Sequence, residues 1–318
     1  MLTFLTGFIA TLAFVPLAKK LAIRCAALDK PNARKVHVTP IPLWGGLGIF
    51  FGFMLTMALA LHFIDAAHNA ITARTLMHLK GLSWASLGIV IVGLIDDRWG
   101  MPAKVKLACQ LVLGAVLIAY DVKIDYHTLP HFGVVRFPDW LTWGITLFWI
   151  AGITNALNLL DGLDGLLAGV SLTTAIVFLV VSLMTGQVIA AVVMACLSGC
   201  MLGFLRYNFN PAQIFMGDTG SLFLGLTFAS WSIIGLLKST ATFAFAVPVF
   251  MMAVPIFDTA AAIIRRMLAG RPIFQADKEH LHHRLLRMGY TQRQVVLLIY
   301  GINTAFGVIG LALYYFFK

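Results

Sequence analysis

The chain has 318 residues, of which 60% are apolar and only 11% charged, with a mean hydropathy of +0.90. Soluble domains carry about 25% charged residues, and disordered chains are poor in aromatic groups, so both classes are excluded. Lys and Arg number 23 against 13 Asp and Glu, a net charge of +10. No basic stripe interleaves with aromatics, so the excess reads as membrane-loop charge and no nucleic-acid partner is expected.

The apolar runs are continuous and longer than the roughly ten-residue alternating segments of an outer-membrane barrel. In chain order they predict spans at 2–18, 43–63, 82–95, 104–120, 141–159, 165–184, 188–205, 220–238, 243–263 and 294–316. The fold class is therefore an all-α polytopic membrane protein of about ten transmembrane helices, a single domain over 1–318. The first run leads into Lys19-Lys20 without a small-residue cleavage site, so it reads as a true span. The third is short and is expected to begin nearer His78.

Ten spans put both termini on one side. Loops 19–42, 96–106, 160–164, 206–219 and 264–293 hold seventeen Lys and Arg, and the remaining segments hold six. This asymmetry assigns the five loops to the cytoplasm and both termini to the outside. The segment 121–138 alternates around Val122-Lys123-Ile124 and Val134-Val135-Arg136, which predicts a short external β-hairpin turning near Gly133. Cys25, Cys109, Cys196 and Cys200 have no metal-ligand spacing; Cys196 and Cys200, one turn apart, read as packing residues.

Eight of the thirteen carboxylates fall in the cytoplasmic set or at span ends, and a ninth, Asp258, lies within a span. Arg34, Lys35 and His37 precede Gly45-Gly46, where a ligand could approach the backbone closely. The adjacent Asp96-Asp97 at a membrane boundary repel one another, and suit a hard cation or a proton-handling role. Asn155, Asn158 and Asp161 recur at i, i+3 and i+6, one polar stripe on a helix, and Asp164 continues it past Gly162. Interhelical glue would need fewer oxygens.

Asp218 lies at or near a helix start in Met216-Gly217-Asp218-Thr219-Gly220-Ser221. Such a helix N-terminus favours a phosphate, with the carboxylate holding the bridging metal. Near the chain's end, a helix over 277–289 would put His280, His283, Arg284 and Arg287 on one cationic face suited to phosphate, with His282 outside it. That arrangement requires either a distorted helix or a His282 that supports the fold. Asp258, alone within a span, precedes Arg265 and Arg266 by about two turns, on one face.

Taken together, these residues resemble the polyprenyl-phosphate N-acetylhexosamine-1-phosphate transferases. The resemblance rests on Asp96-Asp97, the run Asn155–Gly165, Asn208 through Ser221, and His280-Leu281-His282-His283, in family order over nearly the whole chain. It implies transfer of a sugar-1-phosphate from a UDP-sugar to undecaprenyl phosphate, with release of UMP, at the cytoplasmic face of the cell membrane. The cofactor implied is Mg²⁺, with Mn²⁺ as the alternative, bound by Asp218 with Asn155 as a second oxygen donor. Asp96 or Asp97 is implied as base or lipid-phosphate partner, and Asp161 and Asp164 as nucleotide-side groups. Phe215 resembles the uracil-stacking aromatic, with Asn208 near the base. Arg266, His280 and His283 are expected to hold developing charge, His282 completes the motif, and Asn158, Lys35 and Arg284 complete the substrate-binding set.

The H-x-H-H form is similar to the N-acetylglucosamine branch, which initiates teichoic acid, O-antigen and related polymers. Other UDP-N-acetylhexosamines and UDP-muramyl-pentapeptide remain alternatives, and a transporter is a distant one. A homodimer is implied by resemblance only.

Overall fold

A computed structural model describes residues 1–29, 39–68, 71–129, 133–237, 246–270 and 279–316. The helices are α1 (Leu2–Arg24), α2 (Gly45–His68), α3 (Ala73–Trp99), α4 (Ala103–Ala119), α5 (Asp139–Leu160) and α6 (Leu166–Met184). They continue as α7 (Val188–Asn208), α8 (Gly217–Ser232), α9 (Ala246–Met251), α10 (Ala253–Leu268), α11 (Leu281–Arg287) and α12 (Gln292–Phe316). Among the described residues, seven helices are long and apolar enough to cross a membrane: α1, α2, α3, α5, α6, α7 and α12. Leu2, Ile9, Phe63, Trp84, Phe148, Leu183 and Phe316 face outward. Water would not tolerate so apolar a surface; hydrocarbon does, and the chain is a multi-pass membrane protein.

The other three expected spans differ from single long helices. α4 has only 17 residues. α8 has 16 and runs on into a π-helical turn, Ile233–Leu237. The ninth is broken at Met252 (φ −112°, ψ 29°) into α9 and α10. Pro255 then falls in the first turn of α10, where its missing N–H has no helical partner to lose. The third span is longer than expected and carries Asp96 and Asp97 on its last turns, not in a loop.

Successive helices alternate in direction around one end of the bundle. Gly199 and Gly203 of α7 lie against Phe4 and Phe8 of α1. The Tyr207 hydroxyl donates to the Leu12 carbonyl (3.1 Å), so α1 and α7 run parallel. Gly93 of α3 abuts Thr219, and Asn158 of α5 bonds Ser221 (2.8 Å), so α3 and α5 arrive where α8 departs. Phe50 and Phe53 of α2 pack edge-on to Phe223 (5.5 Å each), so α2 leaves alongside α8.

α8 is the axis of the molecule. Every residue in it except Asp218 is buried, and it is packed by α5, α3 and α2. Small residues permit this closeness. A Cβ on Gly46 of α2 would strike the Gly220 backbone. Thus the close backbone approach expected at Gly45-Gly46 is made by α8, not by a ligand. Cys196 and Cys200 are fully buried, with Gly7 of α1 against them.

Two small antiparallel ladders complete the chain. β1 (Leu28–Asp29) pairs with β2 (Ile41–Pro42), and β3 (Tyr126–Leu129) pairs with β4 (Gly133–Arg136). The second ladder follows Asp121, whose carboxylate is bonded by Arg74 (2.7 Å) at the start of α3, the end remote from Asp96 and Asp97.

Candidate active site

At the end where α3 and α5 arrive, the chain encloses a cleft of about 880 Å³. Asp96, Asp97, Asn158, Asp161, Asp164, Asn208, Phe215, Asp218 and His283 all line it. Asp29, Thr39, Ile41 and Leu43 close one wall. Residues more than 250 positions apart in the sequence are thereby brought to one cavity. Lys35 lies outside the described residues.

Asp218 leads into this cleft from the buried axis. Its Oδ1 accepts from Asn158 Nδ2 (2.9 Å), whose amide also donates to Ser221 Oγ (2.8 Å). The Lys106 ammonium, from the first turn of α4, bonds both Asp218 and Asp96. Sequence reading passed over Lys106 because a lone lysine near a span start looks like membrane-loop charge. Only the fold reveals that it lies between two carboxylates.

Asp97 has a different environment. Its Oδ1 accepts the Asp218 N–H (2.8 Å), and its Oδ2 accepts the Thr219 N–H (3.1 Å) and Thr219 Oγ1–H (2.6 Å). This is an N-cap supplied by another helix. Gly217 makes room for it: its φ of +71° favours glycine, and a Cβ there would collide with the Asp97 carboxylate. The expected phosphate site at the start of α8 is therefore corrected, because a carboxylate already occupies those donors.

The stripe from α5 divides. Asn155 exchanges amide bonds with Gln110 of α4 (2.5 and 3.3 Å) and donates to Ala151 O (2.7 Å). Its oxygen faces Gln110, which corrects its expected place beside Asp218; Asn158, one turn on, has that place. Asp161 ends α5. Burial, followed by the charges of Asp218, Asp97 and Asp164, raises its pKa to about 8. Asp164 Oδ2 accepts from Asn210 Nδ2 and Ala212 N (3.0 Å each). Asn208 is a latch: buried, it accepts the Gly165 N–H and donates to the Ile214 carbonyl (3.0 Å each). Phe215 is held by backbone bonds to Pro42 and Gly45 (2.9 Å each).

The histidines do not form the expected face. α11 spans Leu281–Arg287, shorter than 277–289, with His280 as its N-cap residue. Asp258 of α10 accepts from the Leu281 N–H and contacts His280 Nδ1 (2.8 Å each), so it caps α11 from outside. His280 and His282 are buried with stacked rings 5.9 Å apart. His282 abuts Gly162 and, among the described residues, makes no hydrogen bond through either ring nitrogen. Of the three, only His283 lines the cleft. Arg284 is exposed, and Arg287 pairs with Glu279 (2.6 and 2.8 Å). Arg266 is buried, away from the cleft lining, while Arg265 donates to Glu279 O (2.9 Å). The cause is the cap at His280: the helix starts at Leu281, four residues later than expected, so His280 lies outside it and loses the spacing that would set it beside His283.

Among the described residues, no three His, Cys, Asp or Glu converge as a metal centre. Asp96 and Asp218 nevertheless share one cation, the Lys106 ammonium, and offer oxygen donors only. That donor set fits a hard cation such as Mg²⁺.

A cleft walled by aspartates, at the end of a helical bundle, defines a class: a multi-pass membrane protein with an acidic site suited to a cation. The sequence profile of glycosyl transferase family 4 matches residues 79–236. A probable undecaprenyl-phosphate N-acetylglucosaminyl 1-phosphate transferase of Bacillus subtilis is 39% identical over 98% of this chain and 84% of its own length. The decaprenyl-phosphate N-acetylglucosaminephosphotransferase of Mycobacterium tuberculosis is 38% identical, over 93% and 78%. The undecaprenyl-phosphate alpha-N-acetylglucosaminyl 1-phosphate transferase of Escherichia coli is 28% identical, over 92% and 78%. The chain belongs to glycosyl transferase family 4, among the polyprenyl-phosphate N-acetylhexosamine-1-phosphate transferases and in their N-acetylglucosaminyl branch.

Proposed function

We propose that this protein transfers N-acetylglucosamine-1-phosphate from UDP-N-acetylglucosamine to undecaprenyl phosphate, releasing UMP, at the cytoplasmic face of the cell membrane. The product begins a cell-envelope polysaccharide. The observation that carries this reading is the convergence of Asp96, Asp97, Asp161, Asp164 and Asp218 on one cleft. A cleft lined by aspartates repels a pyrophosphate unless a cation accompanies it, so the cleft is complementary to a metal-bound nucleotide. The alternating helix directions support ten crossings with the cleft on the Lys- and Arg-rich side.

Asp218 and Asp96 would hold Mg²⁺, which when bound neutralises the pyrophosphate and stabilises the departing UMP. Lys106 keeps the two carboxylates together and supplies further positive charge. Phe215, Asp161 and Asp164 receive the nucleotide, with His283 across the cleft. An oxygen of the lipid phosphate attacks the sugar-bearing phosphorus as its bond to the UMP oxygen breaks. That oxygen is already ionised at neutral pH, so catalysis rests on positioning and charge. Asp97 fixes the helix that carries Asp218. The lipid enters from the bilayer beside Pro248 and Pro255, at the break between α9 and α10.

The test is UMP release by purified protein given undecaprenyl phosphate and a panel of UDP-sugars with Mg²⁺. UDP-N-acetylglucosamine should be preferred, and decaprenyl phosphate should also serve, as the mycobacterial relatives suggest. No UMP from any sugar, with transport of substrate across vesicles instead, would overturn the reading.

A further inference from the structure

The start of α12 touches the cleft through residues with no assigned role. Asn210 Nδ2 has two protons and two acceptors, Asp164 Oδ2 and Gln292 Oε1, both at 3.0 Å. The Asn210 carbonyl accepts from the Arg293 guanidinium at 2.9 and 3.2 Å. Seven residues further along α12, the Tyr300 hydroxyl bonds the Gly165 carbonyl, next to Asp164. Three α12 side chains therefore grip the Asp164–Gly165 turn and its neighbour Asn210.

We infer that Gln292 is a positioning residue for the sugar nucleotide, acting on Asp164 through the Asn210 amide. An amide can be turned by half a rotation, which exchanges its oxygen and nitrogen. The Asp164 carboxylate only accepts, so it turns the Asn210 nitrogen inward, and Gln292 Oε1 accepts the second proton of that nitrogen and holds the amide against rotation. Gln292 thus fixes Asn210, and Asn210 with the Ala212 N–H engages a single oxygen of Asp164, Oδ2. Its other oxygen, Oδ1, is left to accept from a donor group on the nucleotide. Ordering the acceptor before binding reduces what the ligand must organise, so the effect falls on nucleotide affinity and not on the chemical step. α11 also packs on α12, so the same helix head joins the His283 wall to the Asp164 wall.

This inference rests on the proposed sugar-nucleotide substrate. The experiment measures UMP release by the full-length protein in detergent with Mg²⁺, varying UDP-N-acetylglucosamine at saturating undecaprenyl phosphate. Gln292→Met, which removes the acceptor, should raise KM for the nucleotide roughly tenfold with kcat within about threefold. Gln292→Glu, which keeps an acceptor, should recover most of that loss, while KM for the lipid stays constant in both. Thermal unfolding of each variant separates affinity from misfolding. In an Asp164→Asn background the Gln292→Met change should cost little more, because the two act in one chain. An unchanged KM for Gln292→Met, additive losses in the double variant, or equal defects in the Met and Glu variants would each overturn the inference. Absence of UMP release by the wild-type protein would instead overturn the proposed function, and this inference with it.

Discussion

Asp97 accepts both donors of Thr219, its N–H at 3.1 Å and its hydroxyl at 2.6 Å, across the contact between α3 and α8. The side chain of one helix thus completes the first turn of another, and the residue it fixes in place, Asp218, is the one that enters the cleft. Thr219→Val keeps the shape and removes the hydroxyl donor. Stability should fall by about 1 kcal/mol. The transfer rate should fall further than that loss of stability explains, because Asp218 is no longer held. Thr219→Ser should retain both properties. Unfolding midpoints and single-turnover rates on the three proteins decide this.

Asp218→Asn should abolish transfer while leaving the unfolding midpoint nearly unchanged, since size and the Asn158 contact are retained. Lys106→Met should also cost at least roughly 10² in rate, leaving Asp96 and Asp218 without their shared cation. Raising Mg²⁺ should restore part of the Lys106→Met loss and none of the Asp218→Asn loss.

The seven membrane-length helices were legible because hydrocarbon demands long apolar runs, and a run is visible in one dimension. The stripe Asn155, Asn158, Asp161 was equally legible, since helical spacing alone sets it. What spacing cannot say is which neighbour each side chain meets. Asn155 finds Gln110 and Asn158 finds Asp218 because α4 and α8 contact α5 at different heights. Nor could spacing show the partners of Asp97, whose bond donors come from 121 and 122 residues away. Pro248 and Pro255 flank the break at Met252, but a proline signals a bend and not which peptide leaves the helix.

Asp161 should give the folded protein an inverted response to pH in metal-free buffer. Its folded pKa is raised to about 8, while the unfolded carboxyl keeps its ordinary 3.8. The neutral form is favoured by folding, so stability falls as pH rises between those values and levels off above about 8. Asp161→Asn should flatten this slope. Thermal unfolding between pH 5 and pH 9 with a chelator present would expose it. A wild-type slope identical to that of the variant would exclude Asp161 as the source.

His282 should act in the opposite direction. Burial, then the neighbouring His283 and His280, lower its pKa to about 3 from an ordinary 6.5. It is neutral when folded and takes a proton when unfolded, so its effect on stability is constant above about 6.5 and becomes destabilising as pH falls toward 3. His282→Gln should reduce this acid sensitivity.

Gly162→Ala tests the same contact from the other side. A Cβ there would come within 2.5 Å of His282 Nε2, so stability should fall by about 1–3 kcal/mol. In a His282→Ala background most of that cost should disappear. Gly152→Ala in α5, where a Cβ meets nothing within 4 Å, should be neutral or slightly stabilising.

The burial of α8 on every side has a mechanical consequence. An element enclosed by α2, α3 and α5, with glycines at its closest contacts, has no direction in which to move without opening three interfaces. Asp218 therefore rides on the stiffest part of the molecule. Any motion that admits a lipid phosphate or releases UMP must be made by outlying pieces: the Lys106 side chain, the jointed α9–α10 segment, and α11 on its Asp258 tether. The protein works as a fixed anvil with moving jaws, and a cross-link from α8 to α3 should leave turnover intact where one from α10 to α12 stops it.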